Sequence, residues 1–293
     1  MYYRRKVLLA LIEAFGGTLK RTECQKLLFL YCRYAGHNHY DFFPYKYGSF
    51  SFLAFQDKQR LTELNFLEQS DDFKVRKNQS FFTQLKSKDQ TVLRKMTSNF
   101  GDLRGTKLIR KVYVEYPAYA CRSTILSDIL TPEEIDRIRP EWNSDQTPCL
   151  FTIGYEGRTI DAYLNRLIQN NVKALIDVRK NPISMKYGFS KTKLQHYLEN
   201  AGLKYIHIPE LGIPSEMRTN LDNPSDYEEL FQYYQSEMLP KQSDALDKLK
   251  TLHSKYARIA LTCYEADYNS CHRHKIVEYL HSDCSFTTNV FHL

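Results

Sequence analysis

Phe151-Thr152-Ile153 running into Gly154-Tyr155-Glu156-Gly157, and Ile259-Ala260-Leu261-Thr262 running into Cys263-Tyr264-Glu265, decide how this chain is read. Each is a short apolar run that breaks into a polar, chemically loaded loop. Two more of the same kind lie between them. Ala174-Leu175-Ile176 leads to Asp177-Val178-Arg179, and Tyr205-Ile206-His207-Ile208 leads to Pro209-Glu210-Leu211-Gly212. Apolar stripes at helical spacing separate these runs, the fullest being Ile160, Tyr163, Leu164, Leu167 and Ile168. Strands joined through helices need right-handed crossovers and a mostly parallel sheet. The back half is therefore expected to be an α/β domain of three layers. Its helices are predicted near 159–169, 191–200, 226–238, 244–253 and 273–280, with a last strand near 286–290. In such a sheet the carboxyl ends of the strands share one edge, where ligands bind. Four polar clusters at that edge read as one site.

Working outward, Pro140 to Pro148 encloses a polar stretch that reads as a linker, giving domains at 1–148 and 149–293. In the front half, Val7, Leu8, Leu11, Ile12 and Phe15 mark a helix stopped by Gly16-Gly17. Thr22 with Gln25 reads as the capping box of a second helix. Residues 41–48 form an aromatic loop, and 52–64 a further helix. Phe66-Leu67 and Phe73-Lys74-Val75 flank Ser70-Asp71-Asp72 as a hairpin, while Tyr113 to Tyr116 is expected to be extended. Helices followed by a short hairpin suggest a helical, winged-helix-like domain.

The net charge of +7 is concentrated. Residues 1–150 hold 24 Lys+Arg against 17 Asp+Glu, whereas 151–293 hold 17 of each. Residues 74–111 alone carry 11 basic side chains, Lys77 among them, with only Asp89 and Asp102 opposing. Lys86, Lys88, Arg94, Lys95 and Lys107 are the candidate contacts to a nucleic-acid backbone, a solvated face being the plainer alternative. No stretch approaches the ~20 apolar residues of a membrane span, so no membrane association is expected. Val7 to Phe15 is interrupted by Glu13 and reads as a helix rather than a signal peptide. Seven scattered Cys, an odd number, do not form a disulfide framework, and a cytoplasmic setting is the expectation.

The motifs Thr152 to Gly157, Asp177-Val178-Arg179 with Pro182 and Ser184, Tyr205-Ile206-His207 with Leu211-Gly212, and Cys263-Tyr264-Glu265 with Cys271-His272-Arg273 closely resemble the uncharacterised family numbered 488 among domains of unknown function. The resemblance spans roughly residues 150–293 and implies a site rather than a reaction. Ile213 stands where that family usually has a second Gly. Gln25-Lys26-Leu27-Leu28-Phe29 with Pro44-Tyr45-Lys46-Tyr47-Gly48 resembles the antitoxin-associated Panacea/SocA-like domains, although Ser49 replaces their Pro. That resemblance implies recognition of a protein partner by the front half.

Cys271-His272-Arg273 precedes a predicted helix, whose start favours an anion. Arg273 and Arg179 offer donor forks for phosphate, with Tyr155, Ser184 and His272 as further substrate contacts. The alternative is that both arginines pair with loop carboxylates. Glu265 is the leading catalytic candidate, Asp177 its partner carboxylate, and Cys271 a candidate nucleophile. Cys263, Cys271, His272 and His274 are ligand types for zinc. Adjacent Cys271 and His272 should struggle to turn inward together, however, so no metal is expected. Neither a P-loop nor a G-x-G-x-x-G fingerprint is present, and no cofactor is expected. The reading is a hydrolase directed at a nucleotide or nucleic acid, cleaving an N-glycosidic bond, in an antiviral defence or genome-maintenance setting. The alternative is a non-catalytic regulator or sensor that binds a small anionic ligand or a protein. Oligomeric state is left open.

Overall fold

The computed structural model describes residues 1–76, 80–218, 223–283 and 286–293. Lys77 and Cys284 lie outside the described residues. The chain divides into two compact units, Met1–Trp142 and Asn143–Leu293.

The N-terminal unit is mainly helical. Its elements are α1 (Tyr3–Ala14), β1 (Thr18–Leu19), α2 (Arg21–Ala35), β2 (Phe43–Tyr45), β3 (Gly48–Phe50), α3 (Phe52–Glu63), β4 (Phe73–Lys74), α4 (Ser87–Phe100), α5 (Gly105–Glu115), α6 (Leu126–Ile129) and α7 (Pro132–Ile138). Helix α1 ends where Gly16 and Gly17 take positive φ, and Gly17 N–H closes on Ile12 O at 2.8 Å. Three local expectations are corrected and a fourth is refined. Glu23, not Gln25, caps α2 by accepting from Lys20 N–H at 3.0 Å. Gln25 instead turns inward and bonds both backbone groups of Ser51, at 2.8 and 3.1 Å. The aromatic loop at 41–48 contributes to a hairpin, β2 antiparallel to β3. The 66–75 hairpin forms with a first arm too short to be a strand: Leu67 lies opposite Val75, Glu68 N–H donates to Lys74 O and Arg76 N–H to Phe66 O, and β4 pairs on its other edge with β1. Tyr113 to Glu115 is helical rather than extended, because burying Leu108, Val112 and Tyr113 on one face of α5 outweighs the strand preference of Val and Tyr.

Lys26 in α2 is 1% exposed, and its ammonium donates to Ser49 O at 2.8 Å. Burial without a counter-charge lowers its pKa to about 7. Between that value and the ordinary lysine range the unfolded chain holds a proton that the folded one releases. Stability conferred by this site therefore rises with pH from about 7 to about 10. Lys26→Met should raise the denaturation midpoint of the N-terminal transition at pH 7. The gap to wild type should close by pH 10, a swing on the order of 4 kcal/mol. A gap independent of pH would show that Lys26 is not buried in this way.

The C-terminal unit contains β5 (Cys149–Gly154), α8 (Ile160–Gln169), β6 (Ala174–Asp177), α9 (Lys191–Asn200), β7 (Lys204–His207), α10 (Pro224–Tyr233), α11 (Ser243–Tyr256), β8 (Arg258–Cys263), α12 (Arg273–Ser282) and β9 (Asn289–His292). The five strands form one sheet in the order β7-β6-β8-β5-β9, every neighbouring pair parallel. The α/β expectation holds for this unit, and the last strand begins at Asn289, three residues later than predicted. Strand alternation assigns the layers. Ile259 and Leu261 pack with Leu246 and Leu249 of α11 and Ile276 and Leu280 of α12. On the other face Thr262 accepts from the hydroxyl of Tyr163 in α8 at 2.7 Å. Cys263 shares its side with Ile259 and Leu261 and so ends β8 on the α12 side of the sheet. Asp145 and Thr147, in the stretch before β5, are held by Arg258 at 2.8 and 2.7 Å.

Candidate functional site

At the carboxyl edge of the sheet the loops after β5 and β8 are laced together. Tyr155 and Glu156 N–H both donate to Tyr264 O, and Ala266 N–H donates to the Glu156 carboxylate. The approach is close enough that a Cβ on Gly154 would lie 1.7 Å from Glu265 O. A similar approach joins the loops after β6 and β7, where a Cβ on Gly212 would lie 2.2 Å from Lys180 N. Gly212 alone thus meets the demand for close approach, and Ile213 is free to line the cavity.

These loops surround a cavity of about 350 Å³ lined by Tyr155, Arg179, Lys180, Asn181, Ile183, Ser184, Met185, Ile213, Ser215, Arg218, Cys263, Tyr264 and Glu265. A second cavity of about 90 Å³ shares Ile213, Arg218 and Glu265 with it and adds Cys271 and His272. Tyr155, Arg179, Ser184 and Glu265 therefore meet in one space, with His272 beside it. Glu210 is exposed and lines neither cavity.

Three of the assigned roles change. Asp177 is fully buried and committed: it accepts from Arg179 Nε at 2.8 Å and Nη2 at 2.5 Å, and from the Tyr205 hydroxyl at 2.7 Å. These bonds leave it no free oxygen to act as the partner carboxylate, and among the described residues Glu265 is the sole carboxylate lining the two cavities. Arg179 reaches the cavity wall but spends its remaining Nη1 on the Tyr155 hydroxyl and Phe189 O. That bond and a ring stack on Phe189, with centroids 4.4 Å apart, hold Tyr155. Arg273 is 1% exposed and donates to Glu265 O at 2.7 Å and Ala266 O at 3.2 Å, so it anchors the loop after β8 instead of a phosphate. The start of α12 is equally occupied, since N–H groups of His274 and Lys275 donate to Cys271 O and His272 O. The anion site expected there is absent, because the first turn satisfies its own donors.

Arg218, which sequence reasoning missed, is the cation shared by the two cavities, Arg179 and Lys180 lining only the larger. It sits in a short 3-10 turn, Ser215–Arg218, its side chain 36% exposed. One guanidinium nitrogen is 3.9 Å from Glu265 Oε1, and Nη2 donates to His272 Nδ1 at 3.3 Å. No strand end or helix start marks it in the sequence; only its distance of six residues from Leu211-Gly212 hinted at it.

Cys263, Cys271 and His272 converge, all buried, with their sulfur and nitrogen atoms within 4.8 Å of one another. The expectation that adjacent Cys271 and His272 could not both turn inward fails, because they precede the regular helix and take a turn in which successive side chains share a side. His274, by contrast, turns to Cys271 O and Phe231. His272 Nε2 faces the Val178 carbonyl at 3.2 Å, which only accepts, so Nε2 carries the hydrogen and Nδ1 is bare. The two thiols differ. A hydrogen bond from Cys271, then His272 and last Arg218, draw the Cys263 thiol well below its ordinary range against the opposing effect of burial. Burial and the neighbouring Cys263 charge push Cys271 well above it. Of the two thiols, Cys263 lines the larger cavity and Cys271 the smaller. Burial, then the Cys263 charge, raises the Glu265 carboxyl, whose Oε2 is buried without a hydrogen-bond partner.

In the N-terminal unit, Lys86, Lys88, Arg94, Lys95 and Lys107 are all exposed. Lys88 and Lys95 line a groove of about 450 Å³ with Tyr34, Val92, Met96 and Phe100. Arg104, also in the basic stretch, is spent on the carbonyls of Gly101, Leu103 and Phe15. His37, His39 and Asp89 form a second grouping of ligand-type side chains. Among the described residues no helix is long and apolar enough to cross a membrane.

Residues 159–280 match the family model described as Domain of unknown function DUF488. No curated protein and no solved structure matches the chain.

Proposed function

We propose that this protein, whose C-terminal unit belongs to the DUF488 family, is a hydrolase directed at a nucleotide or nucleic acid. The observation that carries the reading is Glu265: among the described residues the one carboxylate lining the cavities, with one oxygen buried and unpartnered, beside the partly exposed Arg218 in a polar cavity at the carboxyl edge of a parallel sheet. Arg218 replaces Arg179 and Arg273 as the anchor for a phosphate. Tyr264, 45% exposed, presents aromatic surface to a base, and Ser184, Ser215 and Asn181 present hydrogen-bonding groups to a sugar.

The bond proposed to break is the N-glycosidic one. Water loses a proton to Glu265 as its oxygen bonds to the anomeric carbon. The carbon–nitrogen pair departs with the base, and the proton passes from Glu265 to that nitrogen. The N-terminal unit, read as winged-helix-like, would hold the nucleic-acid backbone through Lys86, Lys88, Arg94, Lys95 and Lys107, with affinity falling as salt rises. Glu265→Gln keeps the shape of the side chain and removes its proton chemistry. Turnover of nucleotide, DNA or RNA substrates should fall by roughly 10²–10⁴-fold with substrate affinity retained. Absence of turnover by wild type across those substrates would leave a ligand-binding sensor as the reading.

A further inference from the structure

The cluster at Cys263, Cys271 and His272 has the makings of a metal centre. Its atoms are a soft donor set, two sulfurs and an imidazole nitrogen, and each Sγ lies 3.8 Å from His272 Nδ1. A tetrahedral ion with sulfur at ~2.3 Å and nitrogen at ~2.0 Å spreads those atoms about 3.6 Å apart, so the ligands already stand at nearly the required spacing. The second shell is present too. A metal-binding imidazole donates its far N–H to a fixed acceptor, and His272 Nε2 donates to Val178 O at 3.2 Å. That bond leaves Nδ1 without a hydrogen and pointing at both sulfurs.

Cys263, Cys271 and His272 are each about 1% exposed, and the one Nδ1 lone pair faces both sulfurs, so a proton or an ion must be shared among the three atoms. Arg218 meets part of this need through its bond to Nδ1. Its side chain is partly exposed and has Glu265 as a second partner, so it can yield Nδ1 to an ion and remain paired.

We propose that Cys263, Cys271 and His272 Nδ1 bind one zinc-class divalent ion, whose fourth position faces the cavities and holds the water that Glu265 deprotonates. The ligand set stands on its own geometry, whereas the role of the water rests on the hydrolase reading. Three protein ligands with one open position describe a catalytic rather than a structural zinc site. Cys263 lines the larger cavity and Cys271 and His272 the smaller, so an ion among them sits where the two join, beside Glu265. There it lowers the pKa of its water toward neutrality. The proton goes to Glu265, and as the hydroxide oxygen bonds to the anomeric carbon the carbon–nitrogen pair leaves with the base, which takes the proton from Glu265.

The test uses the full chain. Purified protein, loaded with zinc and dialysed, is assayed for bound metal, and cobalt(II) is substituted to read thiolate-to-metal charge-transfer absorption. One tightly held equivalent with that absorption is expected. Both should disappear in Cys263→Ser and Cys271→Ser and persist when His37 and His39 are replaced by Ala, which removes the other ligand-type grouping. Cobalt absorption of the wild type stands even where a serine variant fails to fold. Zinc should also protect Cys263 from alkylation. No retained metal and no thiolate absorption, or a Cys263–Cys271 disulfide in protein prepared under reducing conditions, overturns the proposal. The failures are separable: bound metal without turnover defeats only the hydrolase, and turnover in metal-free protein defeats only the role given to the metal-bound water.

Discussion

Asp177→Ala should destabilise the C-terminal unit by roughly 3–5 kcal/mol, the loss expected when one partner is removed from a buried ion pair. Asp177 is fully buried and Arg179 is 5% exposed, and three of the bonds to the carboxylate come from Arg179 itself. Truncating the acid strands a guanidinium with nowhere to reach water and also frees the hydroxyl of Tyr205, whose bond to Asp177 spans β6 and β7. Denaturant unfolding of the C-terminal transition reads the loss directly. The double variant Asp177→Leu with Arg179→Met removes both charges and should recover most of it, since well-packed apolar replacements of buried pairs are close to neutral. Equal losses in the single and double variants would mean that the charges do not depend on each other. The experiment also separates structure from catalysis, because a residue that only holds a loop lowers stability and activity together.

Gly154→Ala should be nearly as damaging for a different reason. The new methyl would meet backbone, Glu265 O at 1.7 Å and Glu265 C at 2.5 Å, not the yielding end of a side chain. The loop after β8 must move by more than 1 Å, against the bonds from Arg273 to Glu265 O and Ala266 O. Overpacking of this kind costs about 3 kcal/mol. Protein that does fold carries Glu265 out of place, and a shift of about 1 Å at a reacting group costs on the order of 10²-fold in rate. Gly157→Ala is a fitting comparison. That position has nothing within 4 Å and only a positive φ of 70° to strain it, so its cost should be smaller. A Gly154→Ala protein with wild-type stability would mean that the two loops are not in contact.

Much of the C-terminal unit was readable because its signals are local. Ala174-Leu175-Ile176 and Ile259 to Thr262 are continuous apolar runs of strand length, and Ile160 to Ile168 carries a complete helical stripe. The site was readable to the same depth. A parallel sheet brings its carboxyl ends to one edge, so Tyr155, Arg179 and Glu265 had to share it, and the adjacency of β6, β8 and β5 makes them neighbours there. The N-terminal unit was less legible. Tyr113 and Val114 favour a strand by propensity, and only the contacts of α5 made them helical.

The sequence by itself determined the α/β character of the back half, the edge on which its polar loops gather and the placement of the basic charge in the front half. These follow from periodicity and composition, which are properties of neighbours along the chain. Only the tertiary structure decided which polar groups are spent and which are available. Asp177, Arg179 and Arg273 turned out to be consumed by partners up to 28 residues away, whereas Arg218, with no motif of its own, was carried to Glu265. Pairing depends on distances in space, and a charged side chain is free for chemistry only when folding brings it no partner that satisfies it.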